Sequence, residues 1–407
     1  MAGMLKTIFS RRMLTSLLMG FSCGLPLLLT ISVLQAWMKE EGVDLTVIGL
    51  MALVGLPYTV KFLWAPFLDR FTLPFLGRRR GWMLVSQIML MLVICWLGLT
   101  SPTKNPWLVA FVAFLVTFFS ASQDIIVDAY RREDLSDEEL GLGSSLYING
   151  YRLGMLLASG GGLIMADHMS FSSVYIIMGL CMLPGIITTI FSPEPENPAG
   201  TPKTIQDAVL LPLKEYFSRN GAWWILAFIL LYKIGDTMAS AMTTPFYLDI
   251  GFSKSEIGTV VKLFGFWATI AGSLVGGIMM LRLGINRSLW IFGALQALST
   301  AGFAVLAEIG HSIAALSTVI AFENLSSGMG TAAYVAFMAS ITNKKFTATQ
   351  YALLSSLMGI PRVLASAPTG YFAKHMGWMS FFIMCTLIAI PGILLLLRVA
   401  SWHKKEF

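Results

Sequence analysis

Charged side chains are scarce in this sequence of 407 residues: Asp, Glu, Lys and Arg make up 12% of it, and 56% of the residues are hydrophobic. Soluble domains carry about 25% charged residues. Because the deficit extends over the whole length, the composition excludes a soluble protein and indicates an integral membrane protein. Apolar stretches of about 20 residues recur from end to end, which favours spanning helices over the weaker alternating pattern of a β-barrel.

Residues and motifs typical of several other protein classes are missing. The four cysteines lie inside apolar runs without ligand-like spacing, so we interpret them as small core residues. The four histidines are isolated near predicted helix ends and do not indicate a metal site. The absence of a G-x-x-x-x-G-K-[ST] loop argues against a nucleotide-driven pump, and the scattered basic residues argue against nucleic-acid binding. We therefore expect no bound cofactor, no metal and no nucleic-acid partner.

Twelve apolar segments can be distinguished. They lie at about 13–38, 46–66, 82–100, 106–130, 140–166, 171–192, 221–248, 256–281, 288–307, 311–342, 347–373 and 378–399. A polar, Pro-rich stretch separates the sixth from the seventh and has the composition of a linker. We therefore predict an all-α integral membrane fold with an N-terminal six-helix bundle (1–192), a cytoplasmic linker (193–220) and a C-terminal six-helix bundle (221–407).

The basic residues predict the orientation. Most Lys and Arg residues lie in the N-terminal tail, in the loops that follow even-numbered segments and in the C-terminal tail. Cytoplasmic loops carry such an excess. We therefore predict that both termini and the linker face the cytoplasm.

The two sets of six segments resemble each other. Segment five begins with Ser136-x-x-Glu139 and segment eleven with Thr347-x-x-Gln350, and each opening is followed by Ser-Ser-Leu and then Arg. Both openings have the pattern of a capping box, in which two side chains satisfy the first free N–H groups of a helix. A parallel repeat of six helices around a central site resembles the major facilitator architecture.

The loop after segment two resembles the cytoplasmic signature of the major facilitator superfamily. In that signature an Asp at a helix end and nearby Arg residues latch neighbouring helices in one transport state. The residues of this predicted cytoplasmic gate are Asp69, Arg70, Arg78, Arg79 and Arg80. The alternative interpretation is an excess of positive charge on the inner side alone. The spacing is longer than usual, and the second half lacks the acidic partner because Leu281 stands at the corresponding position.

Ionisable residues also lie inside the predicted helices: Asp124, Asp128, Arg152, Lys233, Asp236, Lys262, Glu323 and Arg362. A charge at the centre of a bilayer costs about 2.5–3.5 kcal/mol on insertion scales, so these side chains are expected to face a polar interior. Asp124 and Asp128 lie one turn apart on one helix face, and the spacing of Lys233 to Asp236 allows a pair. One alternative is that these charges only hold helices together. Because both halves contribute both signs, we predict a water-filled cavity instead.

The predicted cavity residues fall into two functional groups. The candidate proton-coupling residues are the carboxylates Asp124, Asp128, Asp236 and Glu323. Basic side chains can bind substrate carboxylates, amides and phenols can bind hydroxyl and amide groups, and an indole can stack on a sugar face. The candidate substrate-binding residues are Gln123, Asn149, Tyr151, Arg152, Tyr232, Lys233, Lys262, Asn324, Arg362 and Trp37. No catalytic residue is predicted.

Several stretches are similar to one family of transporters: Leu25–Met38, Lys61–Arg70, Ser120–Ala129, Gly150–Met155, Tyr232–Asp236 and Phe322–Thr331. Over nearly its whole length the sequence resembles the AmpG family of bacterial muropeptide permeases, and Gln123 and Asp124 match the Gln-Asp pair of that family's fourth helix. Many members add two helices after the twelfth, whereas this sequence ends at Phe407.

The resemblance implies an activity and a location. Family members import N-acetylglucosaminyl-1,6-anhydro-N-acetylmuramic acid, with or without stem peptide, across the bacterial inner membrane for cell-wall recycling. Uptake depends on the proton gradient, and the imported products feed the induction of chromosomal β-lactamase. We expect a monomeric, multi-pass carrier whose partners are this small-molecule substrate and the lipid bilayer.

Three other functions are compatible with part of the pattern. A major facilitator of the same fold can carry another anionic solute, such as an acyl-coenzyme or a drug, and substrate competition distinguishes these. An intramembrane transferase acting on lipid-linked wall precursors would change its substrate covalently. A non-transporting sensor would bind a ligand without net flux.

Overall fold

The computed structural model describes residues 10–43, 47–48, 51–196, 204–253, 256–365, 368–400 and 402. Within these ranges every regular element is a helix, and helices occupy all twelve predicted segments. Seven stretches of the described chain are long and apolar enough to cross a membrane. The predicted all-α fold is confirmed.

The helices of the first half begin and end as follows: α1, Arg11–Glu40; α2, Met51–Gly55 with Leu56–Val60, Lys61–Leu63 and Ala65–Arg70; α3, Arg78–Gly98; α4, Pro106–Asp134; α5, Leu140–Leu156 with Leu157–Gly161 and Gly162–Ala166; α6, Phe171–Phe191. A separate helix, Ile205–Ser218, lies in the predicted linker. Those of the second half are α7, Ala222–Leu231 with Ile234–Asp249; α8, 257–283; α9, 285–309; α10, Ile313–Ser340; α11, Thr347–Leu357 with Gly359–Leu364 and Thr369–Met376; α12, Trp378–Val399.

Several of these helices are interrupted for identifiable reasons. In α2, Pro57 and Pro66 lie in the first turn of short helical pieces, the position where a missing N–H costs least. The Thr117 hydroxyl of α4 donates to the carbonyl of Val54 at 2.5 Å, beside the first of these interruptions. Between α8 and α9, Gly284 has φ 75° and ψ 168°, a conformation that favours glycine and turns the chain sharply. The 53-residue helical stretch Ile257–Ile309 is therefore two helices.

The chain forms two compact units that are not continuous in sequence. Unit 1 contains Met1–Ser136, Leu146–Leu213 and Thr342–Ser356. Unit 2 contains Asp137–Ser145, Lys214–Ile341 and Leu357–Phe407. The first turns of α5 thus belong to unit 2, and the first turns of α11 belong to unit 1.

Glycines allow helices within each unit to approach closely. In unit 1, a Cβ atom on Gly20 of α1 would lie 2.0 Å from the carbonyl oxygen of Tyr147, and one on Gly150 of α5 would lie 1.9 Å from that of Leu17. In unit 2, a Cβ on Gly272 of α8 would lie 2.2 Å from the carbonyl oxygen of Leu325 on α10. Lipid is as apolar as a leucine side chain, so close packing of this kind is the main attraction between membrane helices.

We expect Gly150→Ala to destabilise the protein, because the methyl group would meet backbone that cannot move aside without displacing α1. Overpacking of this kind costs about 1–3 kcal/mol. Thermal unfolding in detergent should show a lower midpoint for this variant. The control is Gly258→Ala, since a Cβ at Gly258 meets nothing within 4 Å. Equal midpoints for the two variants would contradict the tight crossing of α1 and α5.

Candidate functional site

A network of buried charges surrounds Arg79 at the start of α3. The Arg79 side chain is 1% exposed and donates to Asp69 at 2.8 Å and to Glu133 at 2.6 Å. Arg78 donates to the same Asp69 oxygen at 3.0 Å. The positive charges of two guanidinium groups are therefore balanced by the negative charges of two carboxylates. The structure brings together three predicted gate residues, and it adds Glu133, which the sequence analysis missed.

Asp69 also caps a helix from the second half of the sequence. Its second carboxylate oxygen accepts hydrogen bonds from the backbone N–H and the hydroxyl of Thr349, at 2.8 and 2.7 Å, within unit 1. Thr349 lies in the first turn of α11, where N–H groups lack intrahelical partners and carry partial positive charge. Asp69 thus joins the end of α2 to the start of α11.

The predicted capping box at Thr347 and Gln350 is wrong. The helix begins at Thr347 itself, so this residue is not at the N-cap position, and its hydroxyl donates to the carbonyls of Asn343 and Lys344 instead. Gln350 accepts from the backbone N–H of Asn343 at 2.7 Å.

The other two predicted gate arginines lie outside the Asp69 network. Arg80 donates to the carbonyls of Thr189 and Ile190 at the end of α6. Arg70 lies over the ring of Phe71, with 5.4 Å from the guanidinium carbon to the ring centroid. Arg80 thus satisfies carbonyls that α6 itself leaves without partners.

Glu194, which follows α6, stabilises the start of α3. Its two carboxylate oxygens accept the backbone N–H groups of Arg79 and Arg80 at 2.7 and 3.1 Å. Gly77, the residue just before the first residue of α3, has φ 87°. A Cβ atom on Gly77 would lie 2.7 Å from the carboxyl carbon of Glu194. The start of α3 therefore requires both a glycine and this carboxylate.

In unit 1, the two carboxylates of α4 have basic partners. Asp128 pairs with Arg131 at 3.0 Å. Lys61 of α2 is 7% exposed and attracts both Asp124 and Asp128 electrostatically. The predicted intramembrane carboxylates are therefore balanced by two cations that the sequence analysis did not assign to them. The three-residue spacing from Asp128 to Arg131 could have indicated one of these pairs.

Arg131 is itself held by aromatic residues. It donates to the hydroxyl of Tyr351 at 3.1 Å, and its guanidinium carbon lies 4.2 Å from the ring centroid of Tyr147. These contacts lie within unit 1. A cation over an aromatic face gains energy beyond the ion pair, so Arg131 is firmly positioned.

The predicted Gln-Asp pair lies in the interior of unit 1. Gln123 is fully buried and its amide donates to Ser22 at 3.0 Å and to Cys23 at 3.4 Å, which ties α4 to α1. Asp124 and the Cys23 thiol lie close enough to influence each other electrostatically. The Oδ1 atom of Asp124, like Oε1 of Gln123, is buried without a hydrogen-bond partner among the described residues.

Arg152 on α5 is half-buried and differs from the paired arginines described above, because no described carboxylate pairs with it. Its Nη1 atom is buried and has no hydrogen-bond partner in the described part of the chain. The neighbouring Tyr151 interacts electrostatically with Asp124 and Tyr58, and Asn149 is 3% exposed. Arg152 thus presents a guanidinium group with unused donors, which suits an anionic ligand.

Trp37 is part of the core. It is 5% exposed, and its ring lies 5.8 Å from that of Phe171 and 5.4 Å from that of Tyr175. It also borders a cavity of about 450 Å³ that includes Glu40 and Glu41. The indole therefore packs against protein rings in this structure, and its predicted contact with a sugar stays a prediction.

In unit 2, three predicted residues form one cluster. Lys233 lies 3.6 Å from Asp236 and donates to the Thr331 hydroxyl at 2.7 Å. Asp236 and Lys233 both act electrostatically on the carboxyl group of Glu323 on α10. The Oγ atom of Ser299 on α9 lies 2.5 Å from Glu323 Oε2. The cluster thus joins α7, α9 and α10.

Two further predicted residues of unit 2 have structural contacts. The Tyr232 hydroxyl donates to the carbonyl of Leu289 at 2.8 Å, and its ring stacks on that of Tyr334 at 5.5 Å. Asn324 accepts from the hydroxyl of Thr269 at 2.7 Å and donates to the carbonyl of Ile320 at 2.9 Å. Their polar groups hold helices together in this structure.

Two predicted basic residues of the second half remain, Lys262 and Arg362. Lys262 is exposed on the first turns of α8. The side chain of Arg362 lies outside the described part of the chain. Their predicted substrate contacts stay predictions.

Comparison with known proteins places the chain in a family. A model of the Major Facilitator Superfamily matches residues 13–366 and 231–406. An anhydromuropeptide permease of Escherichia coli (strain K12) is 45% identical over 384 residues, which is 94% of this chain and 78% of that protein. The chain belongs to the AmpG family of the major facilitator superfamily. A putative transporter AmpG 1 of Rickettsia bellii (strain RML369-C) is 32% identical over 397 residues, 94% of this chain and 97% of that protein.

Solved structures show the same fold. The Escherichia coli fucose:proton symporter superposes with a TM-score of 0.74 at 13% identity, over 98% of this chain and 100% of that one. A human organic anion transporter superposes with a TM-score of 0.67 at 14% identity, over 95% of this chain and 98% of that one. The AmpG-family chain described here is therefore a multi-pass membrane transporter with the major facilitator fold, and not an enzyme.

We expect Glu133→Gln to destabilise the protein. Glu133 is 2% exposed, and its loss would leave positive charge on Arg78 and Arg79 with only Asp69 to balance it. Breaking a buried ion pair costs about 3–5 kcal/mol, which a thermal unfolding midpoint in detergent would register.

The matched control is Glu215→Gln. Glu215 and Arg219 form an ion pair whose side chains are 31% and 27% exposed. Exposed pairs contribute about 0–1 kcal/mol. If both variants shift the midpoint equally, the charges around Arg79 do not stabilise the fold as argued.

Proposed function

We propose that this transporter imports N-acetylglucosaminyl-1,6-anhydro-N-acetylmuramic acid, with or without stem peptide, across the bacterial inner membrane in symport with protons. The observation that carries the proposal is the 45% identity, over 94% of the chain, to a protein described as an anhydromuropeptide permease. In this proposal both termini face the cytoplasm, and the imported products serve cell-wall recycling and the induction of β-lactamase.

The substrate requires a site for an anion. Its anhydromuramic acid carries a lactyl carboxylate, which a stem peptide replaces with peptide carboxylates. No described carboxylate pairs with Arg152, whereas Arg131 and Lys233 lie beside carboxylates of the protein. We assign Arg152 to the substrate carboxylate, since a guanidinium binds such a group with two parallel hydrogen bonds.

Proton coupling requires carboxyl groups that change their charge during the transport cycle. Asp124 and Asp128 in unit 1, and Asp236 and Glu323 in unit 2, are the candidates. Each lies on a helix predicted to span the membrane, where gaining or losing a charge is energetically large. Such groups suit a carrier that uses the pH difference to accumulate its substrate.

Uptake into proteoliposomes tests the proposal. Purified protein with labelled anhydrodisaccharide outside and an imposed inside-alkaline pH difference should accumulate the sugar above the external concentration. A protonophore should abolish accumulation. Unlabelled anhydrodisaccharide should compete, whereas acyl-coenzyme A should not. The recovered sugar should be chemically unaltered. Absence of accumulation, or stronger competition by acyl-coenzyme A, would contradict the proposed cargo.

We expect Arg152→Gln to raise the half-saturating concentration of the anhydrodisaccharide about tenfold, because a hydrogen bond to a charged group contributes about 1.5–3 kcal/mol and each 1.4 kcal/mol is tenfold in affinity. A substrate whose lactyl carboxylate is converted to an amide should bind weakly to the unmodified protein and lose little more in the variant.

The control for Arg152→Gln is Arg282→Gln, at an exposed position on α8. It should leave the half-saturating concentration unchanged. If Arg152→Gln weakens the amide and the carboxylate substrates by the same factor, Arg152 does not contact the carboxylate.

A further inference from the structure

One end of unit 2 carries exposed tryptophans. Trp223 and Trp224 lie in the first turn of α7 and are 72% and 49% exposed. Trp402, just after α12, is 43% exposed. The indole Nε1 of Trp290 on α9 donates to the carbonyl of Ala400 at 2.9 Å. The start of α9 therefore lies beside the end of α12.

Two arginines lie against these indoles. The guanidinium carbon of Arg398, at the end of α12, lies 5.8 Å from the ring centroid of Trp224. That of Arg287, in the first turn of α9, lies 5.9 Å from the ring centroid of Trp402, and its Nε atom donates to the Trp402 carbonyl at 3.4 Å. Both arginines are exposed. An aromatic ring attracts a cation beside it, so each guanidinium has a preferred position at the surface.

The charges of these two arginines differ from that of a neighbouring arginine. Arg219, which precedes α7, pairs with Glu215 at 2.5 Å. Neither Arg287 nor Arg398 pairs with a carboxylate in the part of the chain that the structure describes. Their N–H groups are therefore suited to an anion that the protein itself does not supply.

The surface next to Arg398 is apolar. Leu394 and Leu397 on the same helix are 53% and 63% exposed. Both α7 and α12 are long and apolar enough to cross a membrane, and tryptophans at the ends of spanning helices lie at the boundary between lipid and water. A partner must therefore offer a negative charge to the guanidinium and hydrocarbon to the leucines. A soluble anion offers only the charge, whereas a phospholipid with a net negative charge offers both.

We propose that Arg287 and Arg398 bind the phosphate groups of anionic phospholipids at this surface of the membrane, with Trp402 and Trp224 positioning the two guanidiniums. A guanidinium presents paired N–H groups to phosphate oxygens. Binding attaches the starts of α7 and α9 and the end of α12 to one leaflet. In the orientation proposed above this is the cytoplasmic leaflet, whose surface potential is negative. The lipid site does not depend on the transported cargo.

Lipid titration of the purified protein in detergent tests the proposal. The anionic probe is phosphatidylglycerol, and the control lipid is phosphatidylcholine with the same acyl chains. Phosphatidylglycerol should raise the thermal unfolding midpoint of the unmodified protein in a saturable way, and phosphatidylcholine should raise it much less. Arg287→Gln and Arg398→Gln should each raise the half-saturating concentration of phosphatidylglycerol about tenfold, the factor expected for losing a hydrogen bond between charged groups.

Arg282→Gln is the matched control for both substitutions. Arg282 is also exposed and the substitution removes the same charge, but this arginine has no aromatic contact among the described residues. The control should leave the half-saturating concentration unchanged. Arg398→Lys keeps the charge and should bind phosphatidylglycerol more tightly than Arg398→Gln. If Arg282→Gln weakens binding as much as Arg398→Gln, diffuse positive charge attracts the lipid and the proposed site is refuted.

Two results on the unmodified protein would also overturn the proposal, whatever the variants do. An equal response to both lipids would show that the charge of the headgroup is not recognised. An equal response to sn-glycerol 3-phosphate, a soluble anion, would show that the site does not require a lipid. These measurements need no transport, so failure of the proposed import would leave their result unchanged.

Discussion

A charge inside a low-dielectric protein must be compensated by an opposite charge, by hydrogen bonds or by a proton. An uncompensated charge in a spanning helix costs several kcal/mol, more than most single contacts contribute. The described charges of this transporter follow that constraint. Arg79 has Asp69 and Glu133, and Asp128 has Arg131. At Arg152, with which no described carboxylate pairs, we have placed the substrate carboxylate.

The helices that carry these charges are held in place by backbone contacts. Gly20 and Gly150 allow α1 and α5 to touch, which fixes the helix that bears Arg152. Glu194 caps the start of α3 through the N–H groups of Arg79 and Arg80. A side chain that is anchored through its own backbone can orient its charge with little loss of conformational freedom.

The sequence predicts the fold and part of the site, for different reasons. Apolar runs long enough to span a bilayer predict the twelve segments, because the hydropathy of a segment depends only on residues that are neighbours in the sequence. The spacing of Lys233 and Asp236 predicts their ion pair for the same reason. The partners of Arg79 are not local: Glu133 lies 54 residues away in the chain and Glu194 lies 115 away. The capping box at Thr347 was wrong because the cap of α11 comes from Asp69, 280 residues from Thr349.

The assignment of the substrate site follows from the same constraint. Without cargo, Arg152 keeps a positive charge that no described carboxylate balances. A bound substrate carboxylate would supply the missing negative charge, so binding the cargo and compensating the charge are one event. A neutral analogue of the same shape would leave the guanidinium uncompensated. The carboxylate, and not the sugar alone, is therefore expected to determine affinity at this site.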